Sequence, residues 1–95
     1  DVWVEVASIA SIIIQLEAES MGLGSCWVQV RNRTHDGSVS ADEHVRKLLG
    51  IPRSCSVESI IGIGYPDEER APYSEGDMRF EKVFIDKYGS KYPGP

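Results

Sequence analysis

Few side chains in this sequence could do more than pack. Cys26 follows Ser25, Cys55 stands apart in a predicted loop, and His35 and His44 are the two histidines. The cysteines match neither a Cys-x-x-Cys redox pair nor a zinc pair, and the histidines lack metal-ligand spacing, so no metal centre is expected. Ser25 and Cys26 place a hydroxyl beside a thiol, but no base and orienting group can be assembled around them, and no catalytic residue is assigned. Arg31 and Arg33 flank Asn32. In a chain with fifteen Asp and Glu against ten Lys and Arg they are expected to be solvated or paired with carboxylates, not bound to phosphate. Trp27 on a strand face is first a packing residue, by its area. Gly62 and Gly64 suit either close strand-helix packing or the approach of a ligand.

The elements that must position these groups begin with a helix starting between Val4 and Ala7 and ending at Ser20 or Met21. Ile9, Ile12, Ile13 and Leu16 recur at helical period among small residues, so the helix belongs in a core or an interface. Gly22 supplies the left-handed stop, with Leu23 folding back on the last turn. Residues 25–31 follow as a strand, with Cys26, Val28 and Val30 expected on the core face and Trp27, Gln29 and Arg31 on the other. Residues 32–39 are expected to be a polar loop. Ser40 and Glu43 then form a capping box that opens a short helix, which Gly50-Ile51-Pro52 ends. Residues 57–65 form a nearly continuous apolar strand, expected to be covered on both faces. Residues 67–77 form a charged surface excursion, Val83 and Phe84 resume apolar character, and residues 89–95 are expected to fray. From spacing alone, the two strands could form a parallel strand-helix-strand unit.

Composition bounds the function classes. The chain has 95 residues, of which 41% are hydrophobic and 26% charged, and a net charge of -5. That is one globular domain's worth of sequence with a modest core. The charge opposes nonspecific attraction to nucleic acid or anionic lipid. The apolar run 9–16 is too short to span a bilayer, and two cysteines make no disulfide framework, so a reduced, cytoplasmic protein is the default. The sequence opens on Asp1-Val2-Trp3-Val4, already against the apolar helix, and is expected to be part of a longer protein.

Three motifs carry a family resemblance: Met-Gly-Leu-Gly-Ser-Cys-Trp-Val at 21–28, Leu-Leu-Gly-Ile-Pro at 48–52, and Ile-Ile-Gly-Ile-Gly-Tyr-Pro at 60–66. In this order and spacing the chain resembles the C-terminal half of the nitroreductase family of FMN-dependent NAD(P)H oxidoreductases, with residues 1–88 as that portion of one domain. The resemblance implies an α+β fold, a mainly antiparallel sheet flanked by helices, which replaces the parallel reading. It also implies a homodimer with FMN at the subunit interface, the first helix near that interface, and a C-terminal arm that adds an edge strand to the partner. The chemistry it implies is hydride transfer from NAD(P)H through flavin to a nitroaromatic, quinone or similar small acceptor.

By the same resemblance, Trp27, Val28, Gln29 and Val30 are the cofactor-binding segment, where relatives lay backbone N–H groups against the flavin. Gln29 stands where relatives often carry Glu or Gly. Arg79 is the candidate for the FMN phosphate, and the family's main phosphate ligands are expected upstream, in a missing N-terminal half. Two competing readings are a noncatalytic dimerisation or interaction fragment that binds no flavin, and a flavin-free protein using Cys26 or Cys55 as a redox thiol.

Overall fold

The computed structural model describes residues 1–94. Helix α1 (Trp3–Ser20) leads into strand β1 (Gly24–Gln29), a small hairpin of β2 (Thr34–Asp36) and β3 (Val39–Ser40), helix α2 (Ala41–Leu49) and strand β4 (Ser59–Gly64). Two 3-10 turns follow, Glu75–Asp77 and Phe80–Lys82. The sheets are antiparallel, β1 with β4 and β2 with β3, so the α+β expectation holds and the parallel unit is excluded. Pro95, last in the segment expected to fray, lies outside the described residues.

Helix α1 starts at Trp3, slightly earlier than predicted, where the Trp3 N–H donates to Asp1 Oδ1 at 3.1 Å. It ends in a Schellman motif. Leu23 N–H donates to Ala18 O at 2.9 Å, Gly22 N–H donates to Glu19 O at 3.0 Å, and Gly22 sits at φ 78°. Helix α2 opens on Ser40, whose hydroxyl accepts from Glu43 N–H at 3.1 Å. The reciprocal half of the predicted capping box is absent, because the Glu43 carboxylate turns to Lys47 at 3.4 Å. Gly50 closes α2 at φ 68°.

Strand β1 ends two residues sooner than predicted. Val30 and Arg31 both donate to Glu58 O, at 2.8 and 3.0 Å, a two-against-one bulge that breaks the ladder, and Asn32 follows at φ 59°. The predicted loop 32–39 instead holds β2 and β3, turning at Gly37. Its strands are too short and polar to carry an alternating pattern.

The faces of β1 are inverted relative to prediction. Register pairs Ser25 with Ile63, Trp27 with Ile61 and Gln29 with Ser59 on one face. Helix α1 lies on that face: Gln15 Nε2 donates to Ser25 Oγ at 3.2 Å, and the Ser11 and Ser59 hydroxyls meet at 3.5 Å. Cys26 and Val28 are exposed on the other face, opposite Gly62 and Ile60, so β4 is covered on one side only within this chain. Val30, beyond the strand, is buried as predicted.

What α1 turns inward is small or polar. Ala7, Ser11, Gln15 and Ala18 are its buried or half-buried residues past the first turn, whereas Ile9, Ile12, Ile13 and Leu16 are each at least 51% exposed. Ala18, Val30 and Val45 are the buried apolar residues among those described. The radius of gyration is 18.3 Å, against about 12–13 Å for a closed domain of this length. The chain is a partial domain whose largest apolar surface faces outward.

Residues 67–77 are exposed throughout, as predicted for a surface excursion. The apolar segment beyond them is, in the single chain, a 3-10 turn and one bridge between Phe84 and Lys91, where an edge strand was expected. Phe80 packs on Tyr92 with ring centres 5.8 Å apart, and Phe84 meets Tyr88 edge-on at 4.9 Å.

Candidate functional site

Strand β1 is held from both ends and open along one edge. Val30 donates to Glu58 O, opposite it in the register that pairs Gln29 with Ser59 and Val28 with Ile60. Bonded pairs alternate in an antiparallel ladder. Val28 and Val30 therefore turn their N–H groups toward β4, and Trp27 and Gln29 turn theirs to the far edge of β1. No strand borders that edge among the described residues. Two backbone donors, one residue apart, are thus presented on a rigid element without any side chain being required for it.

The Gln29 side chain stiffens this edge. Its Nε2 donates to Arg31 O at 2.6 Å and its Oε1 accepts from Arg33 Nη2 at 3.4 Å, tying the strand end to the turn beyond it. Trp27 remains 40% exposed although it lies on the helix side of the ribbon, so it is not a closed core residue within this chain.

Arg79 is not brought to this edge. It pairs with Glu81 at 3.1 Å, and the 3-10 turn it leads into makes no contact with β1 or β4. Cys26 and Cys55 are free and exposed. His35 and His44 stack on each other, ring centres 3.5 Å apart, and no metal-binding group of His, Cys, Asp or Glu occurs among the described residues. The Ser25 hydroxyl accepts from the Gln15 amide and has no base beside it.

Two features escaped the sequence. Glu58 is buried at 7% exposure, with Oε2 accepting from Ser8 Oγ at 2.8 Å and Oε1 without a partner. Its signal was a lone carboxyl group at the head of an apolar strand. Asp42 joins α2 to the entry of β4: Oδ1 accepts from Val57 N–H at 2.6 Å and Oδ2 from Arg46 Nε at 2.9 Å. The Val57 N–H, seconded by the Arg46 guanidinium, holds its carboxyl below the usual carboxylate range.

An α+β ribbon with an inside-out helix and an open edge at residues 27–29 invites comparison with known proteins. The family model described as the nitroreductase family matches residues 4–65. The chain belongs to the nitroreductase family. Two curated members carry the name "Putative NADH dehydrogenase/NAD(P)H nitroreductase". The one from Archaeoglobus fulgidus is 39% identical over 80 residues, covering 84% of this chain and 42% of that protein. The one from Methanothermobacter thermautotrophicus is 39% identical over 69 residues, covering 70% of this chain and 32% of that protein. Among solved structures, an FMN-dependent nitroreductase from Clostridium difficile R20291 superimposes with a TM-score of 0.88 at 50% identity, covering 93% of this chain and 51% of that one. The chain thus spans about half or less of the family members it matches. No helix among the described residues is long and apolar enough to cross a membrane.

Proposed function

We propose that this chain is the C-terminal portion of an FMN-dependent oxidoreductase that takes hydride from NAD(P)H and delivers it to a nitroaromatic, quinone or similar small acceptor. The observation that carries the reading is the free edge of β1, where Trp27 and Gln29 present backbone N–H groups. A flavin ring needs donors at its N5 and along its pyrimidine edge, and fixed backbone amides of this kind fit that need. When bound, FMN would supply the hydride chemistry. Gln29 and Trp27 would orient the ring, while Val28 and Val30, paired to β4, keep the edge straight. Arg79 is proposed as a phosphate ligand only if the segment bearing it moves from Glu81 toward the site in the assembled protein.

Support for an assembly comes from α1. Ile9, Ile12, Ile13 and Leu16 face outward with half or more of their surface exposed, and covering them would contribute roughly 1–2 kcal/mol per side chain. We assign that cover to the rest of the domain and to a second copy, giving a cytoplasmic homodimer with FMN at the interface. The noncatalytic interaction module is the second reading, favoured by the pairing of Arg79 with Glu81 away from β1.

A denaturing mass spectrum of the purified full-length protein tests the choice directly. Released FMN is the expected result; protein without flavin, even after incubation with excess FMN, would reverse it. Placement on the edge is tested by Gln29→Pro against Gln29→Ala. Proline is tolerated where a strand's N–H faces outward, and it deletes only that donor. Gln29→Pro should lose flavin and Gln29→Ala should retain it; equal retention would remove the edge from the site.

A further inference from the structure

The bulge at Glu58 and the left-handed Asn32 fold Arg31 and Arg33 into the wall of one pocket of about 300 Å³, which Trp3, Ser40 and Ser56 also line. Neither guanidinium meets a carboxylate. The ion pairs among the described residues engage Arg46, Lys47, Arg70 and Arg79, and the one side-chain partner of Arg33 is the neutral Gln29 amide oxygen. Both arginines are exposed at the pocket wall and, among the described residues of a chain with fifteen acidic residues, carry their charge without a carboxylate partner. Of the two states expected for them, solvation or pairing with carboxylates, the structure shows the first, since both side chains are exposed. The acidic residue on the pocket wall, Asp42, has both oxygens engaged, by Val57 N–H and by Arg46.

We propose that this pocket binds the phosphate groups of the pyridine nucleotide that reduces the enzyme, with Arg31 and Arg33 as the anion-recognising pair; this rests on the oxidoreductase reading above. Guanidinium forks match phosphate oxygens in a planar, two-point geometry, and pair more strongly with them than neutral donors do. The Asn32 amide and the hydroxyls of Ser40 and Ser56 add neutral donors at the same wall. The Ser40 hydroxyl already accepts from Glu43 N–H and keeps its own hydrogen free to donate. The Trp3 indole gives a flat face against which a base can stack. The end of β1 is tied to this wall, since the Gln29 side chain donates to the Arg31 carbonyl and accepts from the Arg33 guanidinium. The net charge of -5 disfavours nonspecific binding of a polyanion.

The test is calorimetric titration of the full-length protein with NADH, NADPH, FMN and inorganic pyrophosphate, for the wild type, Arg31→Gln/Arg33→Gln and Arg31→Lys/Arg33→Lys. The expected result is at least tenfold weaker binding of pyridine nucleotide and pyrophosphate in the glutamine variant. KM for the nucleotide should rise in step, while flavin content and photochemical reduction of the flavin stay unchanged. The lysine variant, which keeps the charge and loses the fork, should fall between and serves if the glutamine variant does not fold. Unchanged nucleotide and pyrophosphate affinity would overturn the pocket while leaving the oxidoreductase reading intact. Loss of FMN affinity with nucleotide affinity unchanged would assign the arginines to the flavin phosphate and overturn the proposal. A wild-type protein without flavin would defeat the reading of function, and the pyrophosphate titration would still decide whether the arginines bind a phosphate.

Discussion

Ser8 and Glu58 bind α1 to the head of β4 through a 2.8 Å hydrogen bond, and the second oxygen of Glu58 is buried without a partner. The Ser8 hydroxyl has one hydrogen to give and lies equally close, 2.8 Å, to Val4 O. The contact is therefore finely balanced. Ser8→Ala leaves the buried carboxyl group with no hydrogen bond and should destabilise the protein by about 1–3 kcal/mol. Adding Glu58→Met, which removes the orphaned group as well, should recover most of that loss. Urea unfolding of the single and double variants measures both, and additive losses would show that the two side chains act independently.

Gly22 at φ 78° has no atom within 4 Å of where a Cβ would stand. Any cost of substitution is thus a backbone cost, not a clash. Gly22→Val should lower stability by at least ~1 kcal/mol. A melting curve unchanged by the substitution would mean that the Schellman stop contributes little to the fold.

Asp42 gives the protein a defined acid response. Its folded-state pKa is depressed, by the Val57 N–H first and by Arg46. The stability it contributes is therefore fully present above its unfolded value of about 4, and is lost as pH falls through the lower folded value. Asp42→Asn should accordingly be less stable than the wild type at pH 7, with the difference shrinking below about pH 4. Urea midpoints across that range provide the measurement; a difference independent of pH would place the effect in packing instead of charge.

Helix α1 makes an association prediction. Ile9→Asp with Ile13→Asp puts two charges where residues now 60% and 59% exposed are expected to be covered. Losing both contacts, at roughly 1–2 kcal/mol each, exceeds the roughly 1.4 kcal/mol that corresponds to a tenfold change in affinity. Sedimentation equilibrium of the full-length protein should show at least tenfold weaker dimerisation, and an unaltered constant would place the interface elsewhere.

What could be read from sequence was what is determined locally. The Ser40 cap and the stops at Gly22 and Gly50 depend on neighbours a few residues away, and each is where the residue types placed it. The inversion of β1 was hidden because alternation identifies which residues share a face, not which element covers it. Cys26 and Val28 look like the core face. In this chain, however, α1 meets Ser25 and Ser59 through Gln15 and Ser11, leaving the apolar side open. The edge donors of Trp27 and Gln29 were reachable only through the family motif, since a backbone N–H leaves no trace in residue type. The phase that frees them is set by the pairing of Val30 with Glu58, a contact between residues distant in sequence.

The outward apolar face of α1 also has a consequence for how the protein is made. A helix that grips its own sheet through hydroxyls and an amide leaves its isoleucines exposed until another surface arrives. Productive assembly then competes with indiscriminate clumping, and both are events between separate surfaces. Yield in the cell should depend on synthesis rate and chaperone supply more steeply than for a protein that closes its core within one stretch of chain.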